Sequence, residues 1–184
     1  MMSMLLFQFD IQTQNEDAEK FTAYTLKTVD TGYNSEETTV YGVQPNSRYI
    51  HWRHTGSGAA VSATYAEKYN LHVGDTITLK EAYKDTRYTI KISDIYAYQG
   101  ALCVFMNQED LNAMLDYDSA YFSGYLSDTP ITDIDEKYIS SVIDLDALTK
   151  VSRQLDVSMG SMMYLVDGFG IAIFVILMYL LSKI

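Results

Sequence analysis

Leu71-His72-Val73-Gly74-Asp75-Thr76-Ile77-Thr78-Leu79-Lys80 is the stretch that decides the fold class. Gly-Asp is turn chemistry, and after it Ile77 and Leu79 alternate with Thr76, Thr78 and Lys80. A polar turn at Lys84-Asp85-Thr86 then returns the chain through Tyr88-Thr89-Ile90-Lys91-Ile92, which alternates in the same way. Two alternating runs joined by a polar turn predict a β-hairpin with one face on a core.

Working outward, Thr55-Gly56-Ser57-Gly58 is expected to open a helix over 59–69, with Asn70 as a left-handed stop and Leu71 and Val73 turning back onto the core. On the other side, 101–106 reads as a strand, 108–115 as a short helix and 121–126 as a further strand. Residues 137–143 are placed to close the sheet. Nearer the N-terminus, 5–11 alternates as a first strand. Asn15 or Asp17 can cap a helix over 18–29 whose apolar positions Ala18, Phe21, Tyr24, Thr25 and Leu26 share a face. Thr31 to Ser35 is a loop, 38–43 a strand, Pro45-Asn46-Ser47 a turn and 49–52 a short strand. The fold class is therefore α+β: a mixed sheet with a β-hairpin and packed helices, followed by a long stalk and transmembrane helix.

The C-terminal run carries that last element. Asp144 or Asp146 caps a helix through Leu148, Val151, Leu155 and Met159, with Lys150, Arg153 and Gln154 on its other face. It leads into Met162-Met163-Tyr164-Leu165-Val166-Asp167-Gly168-Phe169-Gly170 and then Ile171 to Leu181, apolar all round. About 20 apolar residues suffice to cross a bilayer, and a helix without a polar face does not suit a protein surface. Asp167 interrupts the run. It is read either as an interfacial residue or as an intramembrane group facing a partner helix. Lys183 just beyond marks the C-terminal end as cytoplasmic and the preceding domain as extracytoplasmic. The expected division is 1–145 domain, 146–161 stalk helix and 162–184 transmembrane helix, with membrane lipid around the last. The N-terminal stretch has no basic residue before its apolar part, so it does not read as a signal peptide.

Composition sets the outer limits. The chain has 184 residues, 48% hydrophobic and 20% charged, which is enough for one good-sized core. Its formal net charge of −11 and lack of clustered Lys and Arg exclude nucleic acid as a partner and disfavour docking of the domain on anionic lipid. Sixteen tyrosines suit half-buried strands and amphipathic surfaces. Cys103 stands alone, so no internal disulfide forms, and its neighbours make it a small core residue.

The run Val61-Ser62-Ala63-Thr64-Tyr65-Ala66-Glu67-Lys68-Tyr69-Asn70-Leu71-His72-Val73-Gly74-Asp75-Thr76-Ile77-Thr78-Leu79, followed by Val104-Phe105-Met106-Asn107-Gln108-Glu109-Asp110-Leu111, resembles the extracytoplasmic domain of FtsX-like, or MacB-like, ABC transporter permeases. The apolar C-terminal run is similar to the helix that opens the membrane core of such proteins. The resemblance implies a non-catalytic subunit that binds a substrate or partner (peptide, lipid or protein) outside the membrane. It also implies a separate cytoplasmic ABC ATPase and a second permease subunit or half as partners. The absence of a Gly-x-x-x-x-Gly-Lys-Ser/Thr loop agrees with ATP being bound by another chain. The rival reading of a different class is a singly membrane-anchored sensor or binding protein with no ATPase partner, and a tail-anchored protein shares its features.

Other constellations give bland readings. Gly56-Ser57-Gly58 lacks the last glycine of a dinucleotide loop, and Ser57 lacks the Gly-x-Ser-x-Gly elbow of a hydrolase. His51 and His54 need a third ligand to hold a metal, and His72 is distant in sequence. Asp133, Asp135 and Glu136 read as a solvated loop. No catalytic, cofactor or metal residue is assigned.

Overall fold

The structure, a computed structural model, describes residues 3–7, 11–29, 35–53 and 58–144. The expected hairpin forms, with β5 (Thr76–Lys80) antiparallel to β6 (Arg87–Tyr96), Ile77 opposite Ile90 and Leu79 opposite Tyr88. It belongs to a ring. β2 (Glu19–Thr28) pairs with β5 through Lys27 and Thr28, and with β3 (Glu37–Val43) from Thr22 to Lys27, both antiparallel. β3 runs parallel to β7 (Cys103–Asn107), β7 antiparallel to β4 (Ala59–Ser62), and β4 parallel to β6. The order β2-β3-β7-β4-β6-β5 therefore returns to β2, and closure leaves none of these six strands with a bare edge.

β2 is long enough to serve a second layer. Its first residues, Glu19 to Phe21, pair with β8 (Gly124–Ser127), which also pairs with β1 (Ser3–Phe7). A 3₁₀ turn at Glu136–Tyr138 leads into β9 (Ile139–Asp144), which follows β1 in the strand order. The chain divides into two units, Met1–Val142 and Ile143–Ile184, and only Ile143 and Asp144 of the second are described.

Alternation places Leu26, Val40, Val61, Leu79, Ile92 and Val104 inside the ring, each 0–1% exposed. Helix α1 (Ala63–Tyr69) adds Tyr65 and Ala66 to this core, and α2 (Gln108–Met114) adds Leu111. Gly42 lets α2 approach β3: a Cβ there would lie 2.9 Å from Leu111 Cδ2 and 3.0 Å from Gln108 Cα. The outer face of β3, β7 and β4 is covered as well. Ala60, Cys103 and Phe105 pack there with Tyr41, Ile50, Trp52 and Tyr96, and the Tyr41 and Phe105 rings stack at 5.5 Å.

Among the described residues the architecture is thus α+β with a mixed sheet and two helices, and several elements differ from expectation. Residues 18–29 form no helix; they are β2. In its first half β2 is covered on both faces, so Phe21 and Thr22 are buried in succession and the two-residue period is blurred. Thr22, Thr25 and Thr28 add β-branched side chains that suit a strand. The helix expected over 59–69 begins only at Ala63, because Ala59–Ser62 is a wholly buried strand and Ser62 is the extended N-cap. Residues 49–52 form no strand; they lay Tyr49, Ile50 and Trp52 over the outer face as irregular chain. The strand expected from 121 starts at Gly124. Among the described residues no helix is long and apolar enough to cross a membrane. The stalk helix over 146–161, the transmembrane helix over 162–184 and Asp167 lie outside the described residues.

Candidate functional site

The motif turn is held by its own backbone. Gly74 has φ +102°, open to glycine and strained for other residues. Its N–H donates to Ile92 O at 2.8 Å, and Ile92 N–H donates back to Asp75 O at 2.8 Å. The Asp75 carboxylate accepts the His72 N–H at 2.8 Å, which closes the turn. A Cβ on Gly74 would meet nothing within 4 Å, so the glycine serves backbone shape. Gly74 and Asp75 are thus fixed in roles that build the turn, and both are exposed.

Ser62 and Asn112 are buried polar residues that organise larger pieces. Ser62 Oγ donates to Ala101 O at 2.8 Å and accepts the N–H groups of Tyr65 and Cys103 at 3.3 and 3.1 Å. It therefore joins the start of α1 to the start of β7, with no lone pair left to act as a nucleophile. Asn112, 0% exposed on α2, donates to the carbonyls of Asp118, Ser119 and Tyr121 at 3.3, 3.4 and 2.8 Å. Its carbonyl accepts from Thr22 Oγ1 at 2.9 Å. Gln108 adds a donation to Tyr121 O at 3.1 Å.

The loop that Asn112 pins presents an aromatic surface. Tyr117 and Tyr121 lie 4.5 Å apart between ring centroids and are 36% and 41% exposed. Tyr24 from β2 meets Tyr117 edge-on at 6.3 Å. Tyr88 from β6 donates its hydroxyl to Glu81 at 2.8 Å, and Lys84 pairs with the same carboxylate at 3.3 Å. Those two bonds hold the Glu81 carboxyl below its ordinary value, chiefly through Tyr88. Burial, followed by Glu81, pushes the Tyr88 hydroxyl up to about 12, and burial raises Tyr117 too. The Tyr88 and Tyr117 phenols therefore stay protonated near neutral pH. The surface offers rigid, amphipathic rings with a carboxylate beside them, which suits recognition and not proton transfer.

Cys103 is 2% exposed and burial pushes its thiol up to about 11, so it is a protonated core residue. Asp133 is tied to Thr13 Oγ1 and Gln14 N–H, both at 2.7 Å, which lowers its carboxyl, and Asp135 pairs with Lys137 at 3.0 Å. Among the described residues no group of three His, Cys, Asp or Glu is placed to hold a metal. His51 lines a shallow groove of about 350 Å³ with Asn46, Arg48, Ile50 and Trp52, while 54–57 lie outside the described residues. Sequence reasoning missed Asn112, Tyr117 and Tyr121. The available signal was the tyrosine content, together with one amide inside a short helix.

No family model matches the chain, and no curated protein matches it. Among solved structures it is similar to the periplasmic region of MacB from Actinobacillus actinomycetemcomitans. The likeness has 10% identity and a TM-score of 0.47, and it covers 83% of this chain and 92% of that one.

Proposed function

We propose that the chain is the extracytoplasmic domain, with the start of the membrane core, of an FtsX-like ABC transporter permease subunit. What carries the reading is the run from Ala59 to Leu111. Its motif residues form one continuous structural unit: β4, the Ser62-capped α1, the Gly74-Asp75 turn, the β5–β6 hairpin, β7 and α2. In this reading the subunit is non-catalytic, residues 1–161 face outward and a separate cytoplasmic ATPase supplies the energy. The tyrosine surface around Tyr117 and Tyr121 meets the partner or substrate, and movement passes through the stalk to the membrane helices.

The test is affinity purification of the full-length protein from its native membrane in mild detergent. The expected result is a stoichiometric nucleotide-binding subunit whose ATP hydrolysis depends on the permease. Recovery of the protein without any ATPase overturns the reading in favour of a singly anchored sensor. Tyr117→Ala with Tyr121→Ala is expected to uncouple ligand response at a stability cost of about 1–2 kcal/mol for the lost ring packing.

A further inference from the structure

The outer face of β2, β5 and β6 differs from the rest of the molecule. Register places Lys27 directly opposite Lys80, and Lys80 directly opposite Arg87. Side chains in such positions stand about 5 Å apart at Cβ, and like charges there destabilise the pairing. The row is unexpected in a chain with 24 acids and 13 Lys and Arg. Among the described residues none of the three makes an ion pair. Glu37, opposite Lys27 on β3, makes none either, and Glu81 is engaged by Tyr88 and Lys84. Around the row the face is hydroxyl-rich: Thr78 stands opposite Thr89 and Thr25 opposite Thr39, and Lys91 lies two strand positions beyond Thr89. Thr25, Arg87, Thr89 and Lys91 are exposed, and Lys27, Lys80, Thr39 and Thr78 are half-buried.

We propose that the Lys27–Lys80–Arg87 row is a binding site for a phosphate-bearing polyanion. The three cations span about 10 Å across adjacent strands, more than one phosphate occupies and suited to several. Arg87 supplies the planar fork that matches phosphate oxygens, the lysines supply compact charge, and the threonine hydroxyls are further donors. Glu37 stands directly opposite Lys27 and partly offsets it. Charges more than about 8–10 Å away are screened at physiological salt, so Lys80 and Arg87 carry most of the attraction. A bound anion would also remove the like-charge penalty built into the strands.

The experiment uses the full chain and inorganic tripolyphosphate as the probe, followed by calorimetry and thermal melting. Saturable binding that weakens with salt is expected, along with a Tm raised by the probe. Lys27→Gln and Lys80→Gln should each weaken binding about fivefold. Lys80→Gln, which removes both like-charge pairings of the row, should also raise the Tm measured without anion, so misfolding cannot imitate the result. Lys137→Gln, elsewhere and paired with Asp135, should change neither. Flotation with phosphatidylglycerol against phosphatidylcholine vesicles, read as the ratio between wild type and the double variant, assigns the source. An anionic preference lost in the variant means a lipid headgroup, and tripolyphosphate binding without that preference means a soluble phosphate compound. Absence of saturable binding, or equal binding by wild type and variants, overturns the site. Equal binding of polyglutamate overturns the phosphate chemistry in favour of an acidic peptide.

Discussion

The turn at Gly74 and Asp75 and the loop over 116–122 are both exposed connections, yet they are held in opposite ways. The first is fixed by neighbours in sequence and one adjacent strand: a glycine at φ +102°, an aspartate closing on His72, and two backbone bonds to Ile92. The second has local bonds of its own, Ala120 N–H to Asp118 Oδ1 and Tyr121 N–H to Asp118 O. It is tied to the body of the fold chiefly by one buried amide, with Gln108 and Thr22 adding bonds to Tyr121 O. Asn112 reaches three of the loop's carbonyls and is itself anchored to Thr22, 90 residues away in sequence. A local device tolerates damage locally. A remote one transmits it, and here it transmits to the tyrosine surface proposed to meet the partner.

The largest effect should therefore come from Asn112→Ala. It removes the four hydrogen bonds of a wholly buried side chain, to Asp118, Ser119, Tyr121 and Thr22, and a loss of about 3 kcal/mol is expected. Urea unfolding followed by the fluorescence of Trp52, the single tryptophan, measures it. Hydrogen exchange should show loosening over 116–122, and a fully protected loop in this variant would break the comparison. Next comes Gly42→Val, which drives a branched side chain into α2, the helix that carries Asn112. A cost of about 2 kcal/mol is expected, again with loosening of the tyrosine loop. Gly74→Ala should cost about 1 kcal/mol through backbone strain alone, with exchange altered only near Ile92 and the turn. Spread of that change to Tyr117 would erase the distinction.

A pH dependence is expected in the covered outer face. Burial raises the Cys103 thiol from 9.0 to about 11, so the unfolded chain releases this proton at lower pH than the folded one. The resulting stability is complete below about pH 9 and is lost as pH rises toward 11. Cys103→Val should flatten that part of the curve, and in the folded wild type the thiol should resist alkylation at pH 8. In the acid range the sign reverses for Glu36, whose carboxyl is lowered by its bonds to Lys68 and Tyr69. That contribution is present above the ordinary carboxylate value and is lost as pH falls through the lowered one.

Legibility in the sequence follows the same division. The hairpin was readable because each strand has one face inside and one face out, so Ile77, Leu79, Ile90 and Ile92 alternate cleanly. Asn70 as a left-handed stop was readable because φ 51°, ψ 47° is tolerated by Asn after a helix. β2 was misread as a helix because it bridges two layers and is covered on both faces at Phe21 and Thr22. β4 was absorbed into α1 because Ala59-Ala60-Val61-Ser62 is buried throughout and shows no period at all. In the site, Gly74 and Asp75 announced themselves by residue type. Asn112 did not, since an amide in a helix acquires meaning only from the carbonyls around it.

By itself, then, the sequence determined those features that depend on contacts within a few residues: the alternating hairpin, the Gly-Asp turn, the helix stop and the apolar C-terminal run. Tertiary structure alone decided the closure of six strands into a ring and the coverage of one outer face by the 45–53 segment. It also set the alignment of Lys27, Lys80 and Arg87 and the pinning of the tyrosine loop by Asn112. Each of these is a pairing between residues far apart in the chain, and no local pattern encodes which distant strand or carbonyl will be the partner.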